Sequence, residues 1–377
     1  MGPLHGVKII ELGGIGPAPF CGMLLADLGA DVLRIERIQP PDTPPATEPR
    51  FDLFSRGKQS ISLDLKQPGA IALLKKLLAG ADALIEGFRP GVAERMGLGP
   101  ETCEALNPRL VYGRMTGWGQ IGPLAQAPGH DINYIAVTGA LHAIGQKDGP
   151  PIPPLNLVGD FGGGAMYLAL GLLSALLESR SSGRGQVVDA AMVDGAASLM
   201  TFIYGLHAAG RYSDHRGTNR YDGGAPYYAT YETKDGRWIA LGSNEPRFYQ
   251  ATLELLGLAA EPLPEQTDRT GWDTLGTRFA AVFETRTRDE WCALAVGKEV
   301  CLSPVLSLEE APNHPSNQER GTFLEIDGVP QPAPAPRFSR TAANVRSGPA
   351  ADPRSVLAAW GLGSDEVAAL QAAHALG

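Results

Sequence analysis

Cysteine is scarce in this chain, and none of it is paired by spacing. The four cysteines, Cys21, Cys103, Cys292 and Cys301, lie far apart, with no CxxC pair and no histidine spacing of the kind zinc uses. That argues against a disulfide framework and a zinc site, and reduced cytosolic thiols are expected. Net positive charge is missing too. With 32 basic residues against 41 acidic ones the formal charge is −9, so nothing global attracts nucleic acid or an anionic membrane. An anionic ligand has to be held by local Arg or Lys. There is no long hydrophobic run either: AMYLALGLLSALL (165–177) is the longest apolar stretch, too short to span a bilayer, and is expected as a buried helix. The start, MGPLHGVKIIEL, lacks the basic-then-apolar layout of a signal peptide, and the HALG ending is not a peroxisomal tripeptide. The expectation is a soluble cytoplasmic protein with no membrane or nucleic-acid partner. Also lacking are a GxSxG elbow, a Walker A loop, an HExxH helix and any internal repeat.

What is present is an alternating pattern. The 377 residues, 44% of them hydrophobic, suffice for about two domains with proper cores. VKIIEL (7–12) reads as a strand, GGIGP breaks it, PFCGMLLADLG has helical spacing, and DVLRIE (31–36) is a second strand-like run. A helix from Gly69 to Gly80, a strand ALIEGF (83–88), a helical stretch near 92–107 and a strand LVYGRM (110–115) continue it. This is an α/β pattern, and a doubly wound parallel sheet is its natural solution. Ligands bind such sheets off the carboxyl ends of the strands. Those ends are followed here by GGIGP with Ile15, by Arg37, by Arg89-Pro90-Gly91 and by TGWGQIGP, with Arg34, Lys58 and Arg95 nearby. Glycines allow close backbone approach and guanidinium groups suit phosphate, although glycines also end strands and arginines also sit on ordinary surfaces. GWGQIG (117–122) matches GxGxxG, but Pro123 follows, so it reads as a turn-rich loop and not a dinucleotide site.

Further along, Asp160 precedes glycines and a long apolar helix, the position of an N-cap. A strand QVVDAAM and a helix near 193–209 follow, then a polar connector at 211–225 and a hairpin around Asp235-Gly236. Glu245-Pro246 opens another helix. The expected division is a large domain over 1–210, a small one over 225–325 and a segment at 330–377 returning to the first. At its start VPQPAPAP (329–336) reads as an extended connector, and further on SDEVAALQAAHAL reads as a helix capped by Ser364.

His130, Asp160 and Glu245 all fall at predicted helix starts. A helix N-terminus disfavours a protonated imidazole and offers N–H groups that can hold an oxyanion. A histidine, a carboxylate and such N–H groups are the parts needed to remove a proton next to a carbonyl. Taken singly, the structural readings are the stronger ones: Asp160 as an N-cap, Glu245 as a first-turn acid, His130 as a capping or core histidine, and Asp131 as another first-turn acid. Met166, Met192 and Met200 read as core, and His5, His142, His207, His215, His314 and His374 as structural or surface residues.

Four stretches carry a wider likeness: GVKIIELGGIGPAPFCGMLLADLGADVLRIER, TGWGQIGPLAQAPGHDINYIAVTGAL, LVGDFGGGAMYLALGLLSALLE and GRGQVVDAAMVDGAASL. With them the sequence resembles the family III CoA-transferase superfamily, and within it the alpha-methylacyl-CoA racemase branch, from about residue 3 to the end. The resemblance implies an interlocked homodimer of chains, each with a large Rossmann-like domain and a small α+β domain. It implies His130 and Asp160 as the two acid/base groups, with Glu245 from the small domain pairing with the histidine. Ile15, Arg37, Lys58, Arg89 and Arg95 are then expected to hold CoA, and Tyr134 and Asn156 to lie near the thioester, whose carbonyl would rest against N–H groups near Asp160. The implied reaction is inversion at the alpha carbon of a 2-methylacyl-CoA through an enolate, with CoA as part of the substrate and no redox cofactor or metal. The alternative is CoA transfer with Asp160 as nucleophile, and a third reading is an acyl-CoA binding protein without turnover.

Overall fold

The structure, a computed structural model, describes residues 2–38, 48–343, 345, 352–372 and 375–376; His374 lies outside them. The chain divides into two compact units, one of residues 1–138, 155–200 and 321–377, the other of residues 139–154 and 201–320.

The first unit carries a six-stranded parallel sheet of β1 (Lys8–Leu12), β2 (Asp31–Arg37), β3 (Gln59–Leu63), β4 (Ala83–Glu86), β5 (Val111–Thr116) and β6 (Val187–Ala191) in the order β3-β2-β1-β4-β5-β6. Ile10 pairs with Leu33 on one side and Leu84 on the other. β4 and β5 are buried throughout, as strands of a sheet covered on both faces should be, with Arg114 of β5 paired to Glu86 of β4 at 3.0 Å. The strand order reverses between β1 and β4, which places a ligand crevice at their carboxyl ends. Four helices follow the early strands: α1 (Pro17–Asp27), α2 (Pro68–Ala79), α3 (Val92–Arg95) and α4 (Pro100–Leu106). The single helix expected over 92–107 is thus two, because Gly97 takes φ +69° and Pro100 restarts the helix. β3, QSISL, had no strong apolar signal and was not foreseen.

Then come α5 (Asp131–Ala136), α6 (Ala140–Ala143) in the second unit, a widely wound π-helical segment over Leu157–Ala165, and α7 (Met166–Ser182), followed by α8 (Met192–Leu199). The helical run 157–182 is longer than the apolar stretch suggested. At 26 residues it is long and apolar enough to cross a membrane by length and composition, and less than half of its most apolar window is buried. Leu168, Leu172 and Ala175 are buried in the core. Met166, Leu170 and Leu177, at spacings of four and seven, are 52%, 61% and 69% exposed. The expectation of a buried helix therefore holds for one side only, and Met166 is not core.

In the second unit, α9 (Thr201–Ala208) precedes β7 (Tyr228–Glu232), β8 (Trp238–Gly242), α10 (Pro246–Leu256), α11 (Trp272–Phe283), α12 (Arg288–Ala295), β9 (Leu302–Val305) and α13 (Pro315–Arg320). The strands form an antiparallel sheet, β7-β8-β9, over an aromatic core of Tyr227, Tyr231, Trp272, Phe279, Phe283 and Trp291. This unit takes in more chain than 225–325. Arg216 donates to the carbonyls of His142 (2.6 Å) and Gly149 (2.7 Å), and Lys147 pairs with Asp273 (2.8 Å), which draws 139–154 into it.

The proline-rich segment is not a free connector. Val329–Pro332 forms β11, antiparallel to β10 (Phe323–Ile326). Gln331 there accepts from Arg56 (2.9 Å), whose guanidinium also grips Asp27 (2.6 Å). Of the last helices, α14 (Pro353–Ala359) and α15 (Ser364–Ala372), Val356, Leu357 and Val367 share a core with the leucines of α2. Ser364 opens α15 and does not cap it; Glu366 accepts the Gly363 N–H at 3.2 Å.

Candidate active site

His130 is the residue before α5, in extended conformation at φ −132°, and its side chain is exposed. Asn133 one turn on accepts its backbone N–H at 3.0 Å, and its carbonyl accepts from Asn133 N–H at 2.8 Å, which fixes the loop-to-helix corner. Asp160 is not the N-cap foreseen: it is the fourth residue of the π-helical segment, with Asn156 at the cap position. Such wide turns recur at functional sites. The first N–H groups of any helix lack internal partners. Here Asp131, next to His130, supplies them. Its Oδ2 accepts from the N–H of Gly159 (2.6 Å) and of Asp160 (2.7 Å), and its side chain is 6% exposed. One carboxylate thus ties the His130 corner to the Asp160 turn.

The Asp160 carboxyl is held by Asn156, whose Nδ2 donates to Oδ2 at 3.1 Å. Partial burial is the first reason its proton affinity is raised above the ordinary carboxylate value. The Asn156 hydrogen bond and His130 pull it back, and Asp131 adds to the rise. Behind Asp160, Phe161 packs on Phe20 and Phe54, ring centroids 4.8 and 5.8 Å away, which anchors the turn. On the sheet side Asp160 faces the glycine loop. Gly16 takes φ +68°, and a Cβ there would stand 3.4 Å from Asp160 Oδ2. Ile15 beside it is exposed, as are Arg37 at the end of β2, Arg89 after β4 and Arg95 in α3. None of the three arginines has an ion-pair partner among the described residues. Arg95 folds back toward Gly91 of the Arg89 loop. A half-buried carboxyl, a histidine and three unpaired guanidinium groups thus border the carboxyl edge of one sheet.

The model of CoA-transferase family III matches residues 4–354. The chain belongs to CoA-transferase family III. Among curated members of that family, it is 46% identical to the alpha-methylacyl-CoA racemase of Mus musculus over 90% of this chain and 87% of that one. It is 43% identical to the Homo sapiens alpha-methylacyl-CoA racemase, over 88% and 86%. The Homo sapiens succinyl-CoA:glutarate CoA-transferase is 28% identical over 90% and 81%. Among solved structures, a CaiB/BaiF family protein from Brucella suis superposes with a TM-score of 0.81 at 26% identity, covering 95% of this chain and 98% of that one.

Among the residues expected from the family III likeness, the structure corrects Lys58. Lys58 does not offer its charge to a ligand: it is 2% exposed, and its ammonium is fixed to Glu11 (2.6 Å) and the Pro19 carbonyl (2.8 Å) under α1. Arg34 is likewise engaged, with Glu36 and Asp52. Tyr134 is buried, its ring against Trp118 at 4.8 Å and over Gly117, with its hydroxyl donating to the Gly129 carbonyl. It shapes the loop that carries His130. The N–H groups of Gly159 and Asp160 are occupied by Asp131, so they are not free for a thioester oxygen. Glu245 belongs to the second unit, at the N-cap of α10 with its side chain exposed, whereas His130 and Asp160 lie in the first. The residue the sequence reading passed over is Asp131. Nothing in HDINY separates an acid that serves its own helix from one that reaches 28 residues along the chain.

Proposed function

We propose that this chain inverts the alpha carbon of 2-methylacyl-CoA thioesters by a two-base mechanism. The observation that carries the reading is that Asp131 ties the His130 corner to the Asp160 turn, beside the glycine loop of a chain whose racemase relatives are 46% and 43% identical. Arg37, Arg89 and Arg95 hold the phosphates of CoA off the sheet edge, and Ile15 lies along the nucleotide. The thioester then spans toward Asp160 and His130. One of them removes the alpha proton; the carbon–hydrogen electron pair moves into the C–C bond and the carbonyl becomes an enolate. The other delivers a proton to the opposite face, so no electrons leave the substrate. The enolate oxygen has the N–H groups of Asp131 and Ile132 at the start of α5, which take no partner among the described residues. The raised proton affinity of Asp160 suits a group that must act as acid in one direction and base in the other. Asn156 orients that carboxyl.

In the transferase reading Asp160 attacks the thioester and forms a mixed anhydride, and His130 has no task. The two readings separate on single variants. A positioned acid or base contributes about 10²- to 10⁴-fold. His130→Ala and Asp160→Ala are each expected to lower racemisation by at least about 10²-fold, with opposite losses in proton exchange for the two epimers. A transferase would lose everything with Asp160→Ala and little with His130→Ala.

The reading includes a homodimer. A second copy is the occupant that best suits the exposed row Met166, Leu170 and Leu177, because a row of large apolar side chains on one helix is unfavourable in water.

A further inference from the structure

We infer that Asp131 is the positioning residue of the proton-transfer pair, holding the Asp160 turn at a fixed place beside His130. The inference rests on the racemase reading for its kinetic part, but the geometry stands apart from it. Asp131 follows His130 directly in the chain, so its carboxylate links the His130 corner to the Asp160 turn. Oδ2 receives two backbone N–H groups from consecutive residues, Gly159 (2.6 Å) and Asp160 (2.7 Å), and the second belongs to the other base. There is no room for play: a Cβ on Gly159 would stand 2.6 Å from that same oxygen. Oδ1 is buried without a partner among the described residues. A first-turn acid that served only its own helix would turn toward the N–H groups of α5 and leave none of its oxygens buried and unmatched.

Charge gives the arrangement a second consequence. The ionisable groups that act on Asp160 are Asp131 and His130 at the α5 start, with Tyr134 one turn further coupled to it, and Asn156 as the neutral hydrogen-bond donor. The other elements packed on this turn meet it through apolar or backbone atoms: Phe20 from α1, Met115 from β5, and Met192, Gly195 and Ala196 from α8. Asp131 is thus the neighbour whose charge raises the proton affinity of Asp160. It disfavours a second negative charge on Asp160 while leaving that carboxyl free to face the ligand side.

The test uses the full-length protein with Asp131→Asn and Asp131→Ala. Asn keeps an oxygen that can accept both N–H groups but removes the charge. Ala removes both. Three quantities are read: kcat and KM for each epimer, the pH profile of kcat, and amide-hydrogen exchange across 157–162. With Asp131→Ala the Gly159 and Asp160 amides should lose protection, and kcat should fall by about 10²-fold, as expected for a base displaced by about 1 Å, with KM nearly unchanged. With Asp131→Asn protection should persist, and the limb of the profile governed by Asp160 should move to lower pH, a shift that a merely structural side chain would not produce. Unchanged protection in Asp131→Ala, or an unmoved limb with parental kcat in Asp131→Asn, would overturn the inference. Should the parent protein fail to exchange an alpha proton, the racemase reading falls. The amide protection would then still decide whether Asp131 holds the Asp160 turn.

Discussion

Two residues separate stability from function most sharply. Asp160 has a folded proton affinity above the unfolded carboxylate value, burial being the main cause, so the folded state binds its proton more tightly. The stability it contributes is present below the ordinary carboxylate pKa and is lost as the pH rises through the raised one. At neutral pH the charged carboxylate is therefore a cost, and Asp160→Asn should unfold at a higher temperature than the parent at pH 7 while losing racemisation. A lower melting temperature at pH 7 would contradict the assigned sign. Asn156→Ala removes a hydrogen bond that favours the charged form, so the Asp160-governed limb should move to higher pH. Lys58 behaves oppositely: breaking a buried ion pair by removing one partner costs about 3–5 kcal/mol. Lys58→Ala should lose about that much in denaturant titration, because Glu11, 0% exposed, is left with only the more distant Arg34 at 3.9 Å. The sequence misled at Lys58 because a lysine in an unpaired-looking loop reads as ligand-facing; Glu11, its partner 47 residues away, is hidden in an apolar strand.

Elements were legible where one pattern ran long enough. The strand runs at 7–12, 31–36, 83–88 and 110–115 overlap β1, β2, β4 and β5, and the Asp235-Gly236 turn joins β7 to β8 with Gly236 at φ +71°. β3 was missed because QSISL is half polar, and the start of the 157–182 helix was missed because glycines conceal a π-helical turn. Those glycines have a packing reason. A Cβ on Gly195 in α8 would stand 1.8 Å from the Gly163 carbonyl oxygen, so the two backbones touch. Gly195→Ala should therefore cost about 1–3 kcal/mol by overpacking and push the Asp160 turn away from α8. The check is a paired measurement of melting and kcat, in which parental values for both would refute the close contact as a determinant of the site.

At the scale of the whole molecule, the sequence pointed to a parallel sheet with its ligand edge, but not to which side of the long helix would be left bare. Composition does not say which face of a helix has a partner. The homodimer proposal predicts a dimer in sedimentation that persists on dilution, and Leu170→Glu, placing a charge in the exposed row, should yield monomers. A fully active monomeric parent would rule that assembly out. The proposed reaction itself is tested most directly by incubating one pure 2-methylacyl-CoA epimer with the protein in deuterated water, with no added cofactor. The account predicts that a single alpha deuterium enters while the sample drifts toward an even mixture of epimers. Transfer of CoA to an added carboxylate, with the alpha proton retained and the configuration unchanged, would contradict it.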